Sequence, residues 1–219
     1  LNLRNNVTVR PTKDFKVSLG LAYSRSLAKS PGQGSNSNNG FQFVNQIPAI
    51  YPVFEHDENG NLVNDPKIPG GKSYDYGQTA DGSRAYAGGI NPAGAVRLDR
   101  DENLTNLTTG NLNLEYRFLK DFKLAVTYGF QSTASKKETL ANPYYGDAAK
   151  IGRISNLNEN DFSWTLNEIL SWGKTFGDHT VDAFIAHEAT KNEFDFHESG
   201  KKKLILGNVT TLDDGLIRG

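Results

Sequence analysis

Residues 111–131 read NLNLEYRFLKDFKLAVTYGFQ, two runs of alternation around a short polar break. Leu112, Leu114, Tyr116 and Phe118 alternate with Asn113, Glu115 and Arg117. Past Leu119-Lys120-Asp121, the residues Phe122, Leu124, Val126, Tyr128 and Phe130 alternate with Lys123, Ala125, Thr127, Gly129 and Gln131. Successive side chains on a strand point to opposite faces, so each run has one apolar and one polar face. The break predicts a hairpin. Each arm can run about ten residues, the length a tilted strand needs to cross a bilayer. Strands of soluble domains are nearer five or six.

The same theme recurs on either side. Leu1, Leu3, Val7 and Val9 alternate with polar residues up to a turn at Pro11-Thr12-Lys13-Asp14, and Phe15, Val17, Leu19, Leu21 and Tyr23 follow. A third copy runs through Phe162, Trp164, Leu166, Leu170 and Trp172, broken once by Glu168, then turns at Phe176-Gly177-Asp178 and resumes with Val181, Ala183 and Ile185. The turn phrase Lys13-Asp14-Phe15-Lys16 returns as Lys120-Asp121-Phe122-Lys123. Three hairpins predict about six long strands, antiparallel between sequence neighbours.

The connections are uneven. Within hairpins they span a few residues. Residues 27–103 form a long stretch rich in Gly, Asn, Ser and Pro, far beyond the usual loop length. Residues 138–160 read as a second loop and 191–219 as a third. Short turns on one side and long loops on the other are the mark of outer-membrane barrels, whose long loops face outside. The expected fold is therefore all-β: an antiparallel transmembrane β-barrel segment with long extracellular loops. Aromatic residues fall at two levels on the apolar face. Phe15, Phe118, Phe122 and Trp172 lie beside the tight turns, and Tyr23, Tyr128, Phe130, Phe162 and Trp164 lie nearer the loops. Such a pair of girdles belongs at the two bilayer interfaces, facing lipid.

Composition is compatible with that reading. The net charge of −1 points to no nucleic-acid partner. Mean hydropathy is −0.55, but a β-barrel hides its apolar residues on alternate positions. With no cysteine, disulfides and thiolate chemistry drop out. The chain opens in mid-alternation and contains no methionine, so we expect a piece of a larger barrel. Six strands with a polar inner face do not fill a small barrel, and an open sheet leaves two raw edges.

Several phrases resemble SusC/RagA-family TonB-dependent transporters. These are Arg4-Asn5-Asn6-Val7, the run from Leu19 to Ser26, Ile47 to Phe54, Ile90-Asn91-Pro92-Ala93, Leu114 to Lys120, and Asp178 to Ala183. Together they cover most of residues 1–191, in the family's order. The resemblance implies a 22-stranded barrel in the outer membrane of Bacteroidetes-type bacteria. It implies import of glycan or peptide fragments, an N-terminal plug coupled to TonB, and a SusD-like lipoprotein as lid. Residues 1–219 would be part of that barrel, without plug or TonB box. The other classes considered are a structural or adhesive outer-membrane barrel without transport, and a soluble carbohydrate-binding β-sandwich.

No residue pattern points to an enzyme. His56, His179, His187 and His197 show no tight ligand spacing. Asp57-Glu58-Asn59-Gly60-Asn61 offers hard oxygen donors to Ca²⁺, but Asn59-Gly60 is equally a hairpin turn, so no cofactor is expected. Asp99, Asp101 and Glu102 lack a positioned partner for glycoside hydrolysis. Sequons at Asn6, Asn103, Asn106 and Asn208 are read as composition. Binding is expected from the long loop, through Phe41, Phe43, Tyr51, Phe54, Tyr74, Tyr76 and Tyr86, since aromatic rings with polar tips bury much area with few rotors. Packing of the loop against itself is the competing use of those rings. Arg4, Arg10, Lys16, Glu115, Arg117 and Lys123 are expected to line the lumen.

Overall fold

A computed structural model of the chain describes residues 1–30, 45, 51–68, 70–79, 82–83, 88–89, 91–145, 148–204 and 215–218, with backbone alone at 78–79, 82–83 and 215–218. Phe41, Phe43 and Tyr86, residues 47–50, Ile90 and Asn208 lie outside the described residues.

The chain is all-β, with six long antiparallel strands in one sheet. These are β1 (Asn2–Val9), β2 (Phe15–Lys29), β5 (Arg100–Phe118), β6 (Phe122–Ala141), β7 (Arg153–Phe176) and β8 (His179–Leu204). Short β9 (Gly215–Arg218) joins β8, and β3 (Gln78–Thr79) pairs with β4 (Gly82–Ser83) in a separate ribbon. A short helix, α1 (Pro92–Leu98), precedes β5. Strand order is β1-β2-β5-β6-β7-β8-β9, and the sheet is open. The β1–β2 register sets Asn6 opposite Gly20 and Val7 opposite Leu19, so both alternations stay in phase across the hairpin.

The expected turns are present. Gly177 takes φ 59° at the β7–β8 turn, and Leu119 and Lys120 take φ 48° and 61° between β5 and β6. The strands are longer than the apolar alternation implied. β6, β7 and β8 run 20, 24 and 26 residues. Backbone pairing continues where both faces turn polar, as in Ser132–Glu138, because the ladder needs only partners for its N–H and C=O groups. The loop boundaries move accordingly. The first long connection spans 30–99, the second 142–152, and residues 191–204, expected as loop, belong to β8.

Two compact units result. The first comprises Leu1–Leu27, Leu104–Lys136 and Asn158–His197; the second comprises Ala28–Asn103, Lys137–Leu157 and Glu198–Gly219. Every buried hydrophobic residue among those described belongs to the second unit: Tyr74, Tyr76, Ala95, Leu140, Ala148, Ile154 and Leu204. In the first unit only Gly20 and Gly110 are buried. Its apolar rows are partly or fully uncovered, from Leu3, Val7 and Leu21 to Tyr116, Leu124, Phe162 and Ile185. A water-soluble sandwich would bury those rows against a second sheet. Among the described residues no such sheet exists.

Candidate functional site

The polar face of the strand unit carries a charge ladder. Lys16 Nζ lies 3.2 Å from Glu115 Oε1, and Lys123 Nζ lies 3.5 Å from its Oε2. One carboxylate on β5 thus ties β2 to β6. Asn6 and Asn111 crowd over Gly20 on this face, where Asn6 Oδ1 would stand 2.8 Å from an added Cβ. Arg4, opposite Ala22, joins the same side as Lys16 by period two. Arg117 is exposed and its N–H donates to Asp14 C=O at 2.8 Å. Arg10 falls just beyond β1.

The opposite face gathers the aromatic residues into two groups. Beside the tight turns, Phe15 meets Tyr116 edge-on at 6.1 Å, Tyr116 stacks on Phe118, and Phe118 stacks on Phe122 at 5.5 Å. Farther along, Tyr128 meets Trp164 at 6.1 Å and Phe130 meets Phe162 at 6.4 Å. Trp172 packs on Phe176, and Tyr23 Oη donates to Asn106 Oδ1 at 2.9 Å.

In the second unit, three antiparallel bridges fold residues 54–74 on themselves: Phe54 with Tyr74, His56 with Leu62, and Asn64 with Lys72. The tip is an Asx turn. Asp57 Oδ1 accepts the Asn59 and Asn61 N–H groups at 2.9 and 2.8 Å, and Gly60 supplies φ 81°. The Asn61 backbone N–H, then its side-chain amide, hold the Asp57 carboxyl below its ordinary range. Asp57 therefore already serves the turn, and no group of three metal-ligating side chains occurs among the described residues.

Tyr74 and Tyr76 are 7% and 5% exposed. They form the core of the loop unit and are not offered to a ligand, which corrects their expected role. Phe54 packs on Tyr74 at 5.0 Å, and Tyr51 is half-buried. Tyr76 stacks flat on Tyr145 at 4.3 Å. Tyr145 Oη donates to the buried Asp65 carboxylate at 2.8 Å, and Lys67 Nζ sits 4.5 Å above the Tyr145 ring. Burial first, then the Asp65 hydrogen bond and charge, push the Tyr145 phenol up to about 12, although a hydrogen bond with Ser73 opposes the rise. Burial and the Asp99 charge raise Tyr76 further. Asn91 caps α1 by accepting the Gly94 N–H at 3.1 Å, while its amide donates to Val53 and Asp75 C=O, both at 2.9 Å. Asp99 Oδ1 accepts the Asn142 N–H and side-chain amide at 2.8 and 2.7 Å, locking two loops together. Asp99 is thus a structural anchor. Asp101 faces Lys137 and Glu102 faces Lys29.

Two features of β8 are hidden in the sequence because its even and odd rows are both mixed. Phe184 is 73% exposed, and Phe194 stacks on exposed Phe196 at 6.2 Å. His187 Nδ1 lies 3.1 Å from Glu168 Oε2, pairing the break in the β7 row with a histidine of the neighbouring strand.

No family model and no curated protein matches the chain. Among solved structures it is similar to the RagAB peptide transporter (TM-score 0.69, 17% identity), covering 97% of this chain and 22% of that one. It is likewise similar to the RagAB peptide importer in its open-open state (TM-score 0.66, 18% identity), covering 98% and 22%. The closed-closed state gives TM-score 0.63 and 16% identity, covering 100% and 24%. The chain therefore spans about a quarter or less of the length of these chains. At such identities the likeness shows the fold alone, a barrel-like all-β segment. Among the described residues no helix is long and apolar enough to cross a membrane, which says nothing of a crossing by strands.

Proposed function

We propose that this chain is barrel wall from an outer-membrane importer of the SusC/RagA type, taking up peptide or glycan fragments with TonB-derived energy beneath a SusD-like lipoprotein. One observation carries the reading: five strands of 15 to 26 residues, long enough to span a bilayer, and the shorter β1 beside them leave their apolar rows uncovered while their polar rows are tied by ions and amides. Hydrocarbon suits the first face and water the second. The similarity to RagAB peptide transporter chains favours peptides over glycans as cargo. In this reading the loop unit is extracellular, and its packed tyrosine core holds a preformed surface to which Tyr51 and Phe54 contribute. Arg4, Lys16, Glu115, Arg117 and Lys123 line the lumen and tune passage. No catalytic residue and no cofactor enter the proposal.

Deletion of the full-length protein tests it. Cells should lose uptake of labelled oligopeptides, and loss of TonB should reproduce the defect. Unchanged uptake of both peptides and oligosaccharides would instead favour a structural or adhesive barrel.

A further inference from the structure

The polar face of the strand unit changes character at β7–β8, and the role assigned to that change rests on the importer reading, in which this face looks inward. Thr175 Oγ1 meets Thr180 Oγ1 at 3.1 Å and Thr165 Oγ1 meets Thr190 Oγ1 at 3.3 Å. Farther along, a Cβ added at Gly200 would stand 4.0 Å from that of Ser155. One register therefore holds along the pair, and odd positions of β7 share a face with even positions of β8. Ser135 Oγ donates to Glu159 Oε2 at 3.1 Å, which joins that face to the β6 row of Lys123. Phe194 thus stands opposite Asp161, and Phe196 opposite Glu159, on the polar side of the sheet.

Exposed phenyl rings are out of place there. Phe184, Phe194 and Phe196 are 73%, 56% and 67% exposed, and the last two stack with centroids 6.2 Å apart. The charge is as particular as the rings. Among residues 158–197 the inward rows carry Glu159, Asp161, Asp182 and Glu188 and no Lys, Arg or His. None of these carboxylates has an ion-pair partner among the described residues. The inward rows of β1, β2, β5 and β6 in the same unit are the reverse, with Arg4, Lys16, Arg117 and Lys123 against Glu115, whose carboxylate already holds both lysines. The level matters too. The same register sets Phe162 and Trp164 of the outer girdle opposite Glu193 and Lys191, so the stacked rings begin where that girdle ends, toward the loops.

We propose that the inward face of β7–β8 is a docking strip for basic oligopeptides, with arginine side chains of the cargo lying on Phe194 and Phe196 and pairing with Asp161 and Glu159. A guanidinium is planar, weakly hydrated and always charged, so it stacks on a phenyl face while its edge N–H groups reach a carboxylate. Opposed positions on neighbouring strands have Cβ atoms about 4.5–5.5 Å apart, which puts ring and carboxylate within reach of one side chain. A neutral sugar would use the rings but gain nothing from four negative charges, and an acidic peptide would be repelled. Glu188 and Asp182 continue the negative row toward the tight turn, along the direction of import.

The test measures binding to the full-length protein in detergent by fluorescence anisotropy. The probes are a fluorescein-labelled octapeptide bearing arginines, the same peptide with glutamine at each arginine, and the same with glutamate. The arginine peptide should bind about tenfold more tightly than the glutamine peptide, as a stacked and paired guanidinium allows, and the glutamate peptide more weakly than either. Phe194→Leu/Phe196→Leu keeps an apolar surface without the ring faces, and Asp161→Asn/Glu159→Gln keeps size and hydrogen bonding without the charge. Each folded double variant should lose most of the arginine preference while binding the glutamine peptide within about twofold of the parent. Equal affinity for the three peptides overturns the proposal and leaves the importer reading standing, as do variants that keep the preference. Displacement of the arginine peptide by an equal concentration of neutral oligosaccharide assigns the rings to sugar and also overturns it. So does a Phe194→Cys variant closed to a hydrophilic maleimide when folded, since another part of the chain then covers the rings. No binding of any of the peptides overturns it too, and joined to unchanged peptide uptake on deletion it removes the importer reading as well.

Discussion

Phe130 lies over the backbone of Gly110, its ring so close that a Cβ at position 110 would stand 2.7 Å from Cζ and closer still to Cε1. The aromatic of β6 thus covers a gap in the β5 row and reaches Phe162 on β7. Gly110→Ala should displace the ring and destabilise the barrel by about 1–3 kcal/mol, as overpacking does. Phe130→Leu in the same chain should recover part of the loss. Urea unfolding in detergent, followed by the heat-modifiable gel shift, checks both.

Leu119 and Lys120 hold left-handed backbone angles without glycine at either position. That conformation costs a non-glycine residue about 1–2 kcal/mol. Lys120→Gly should therefore raise stability by about 1 kcal/mol, against the usual penalty of adding a glycine. Equal or lower stability in the same unfolding assay would show that Lys120 gives the turn more than its backbone angle costs.

Tyr145 donates to a buried carboxylate oxygen of Asp65. Tyr145→Phe leaves that oxygen short of a donor and should cost the loop unit about 1–3 kcal/mol, measured as faster proteolysis between residues 51 and 77. The pH dependence has a definite sign. Folding raises the phenol from 10.0 to about 12, so its contribution is complete below pH 10 and disappears as pH rises toward 12. Tyrosinate absorbance should show at least one tyrosine titrating near the upper value, absent from the Phe variant. Asp57 works the other way. Its lowered carboxyl pKa stabilises the 57–61 tip above the ordinary aspartate range, an effect lost on acidification.

Leu124→Arg should harm assembly by about 2–4 kcal/mol at the bilayer midplane, whereas Lys123→Arg should be nearly silent. The two positions are adjacent, so only the facing of the side chains separates them. Equal yields of folded barrel would remove the facing assignment.

Much of this fold is legible because period two is written directly into residues such as Leu112 to Phe118, and because Asn59-Gly60 and Gly177 announce turns. The strand ends are not legible. Residues 191–204 keep backbone pairing after the apolar rhythm has stopped, and hydrophobicity does not report a polar ladder. The tyrosines of the loop are visible, but their use is not. Tyr74 and Tyr76 become core only because Asn91, Gly94 and Tyr145, distant in sequence, close around them. Glu168 stands out in the sequence only as a break in a row. Its meaning depends on the β7–β8 register that brings His187 beside it.

The proposed membrane reading requires that neighbouring side chains on β6 face opposite ways. Single cysteines at residues 123–128 of the full-length protein, each carrying a polarity-sensitive fluorophore in reconstituted bilayers, measure this directly. Lipid-phase quenchers should reach positions 124, 126 and 128, and aqueous quenchers positions 123, 125 and 127. The same quenching at all six positions would contradict a strand with one face in hydrocarbon and the other in water.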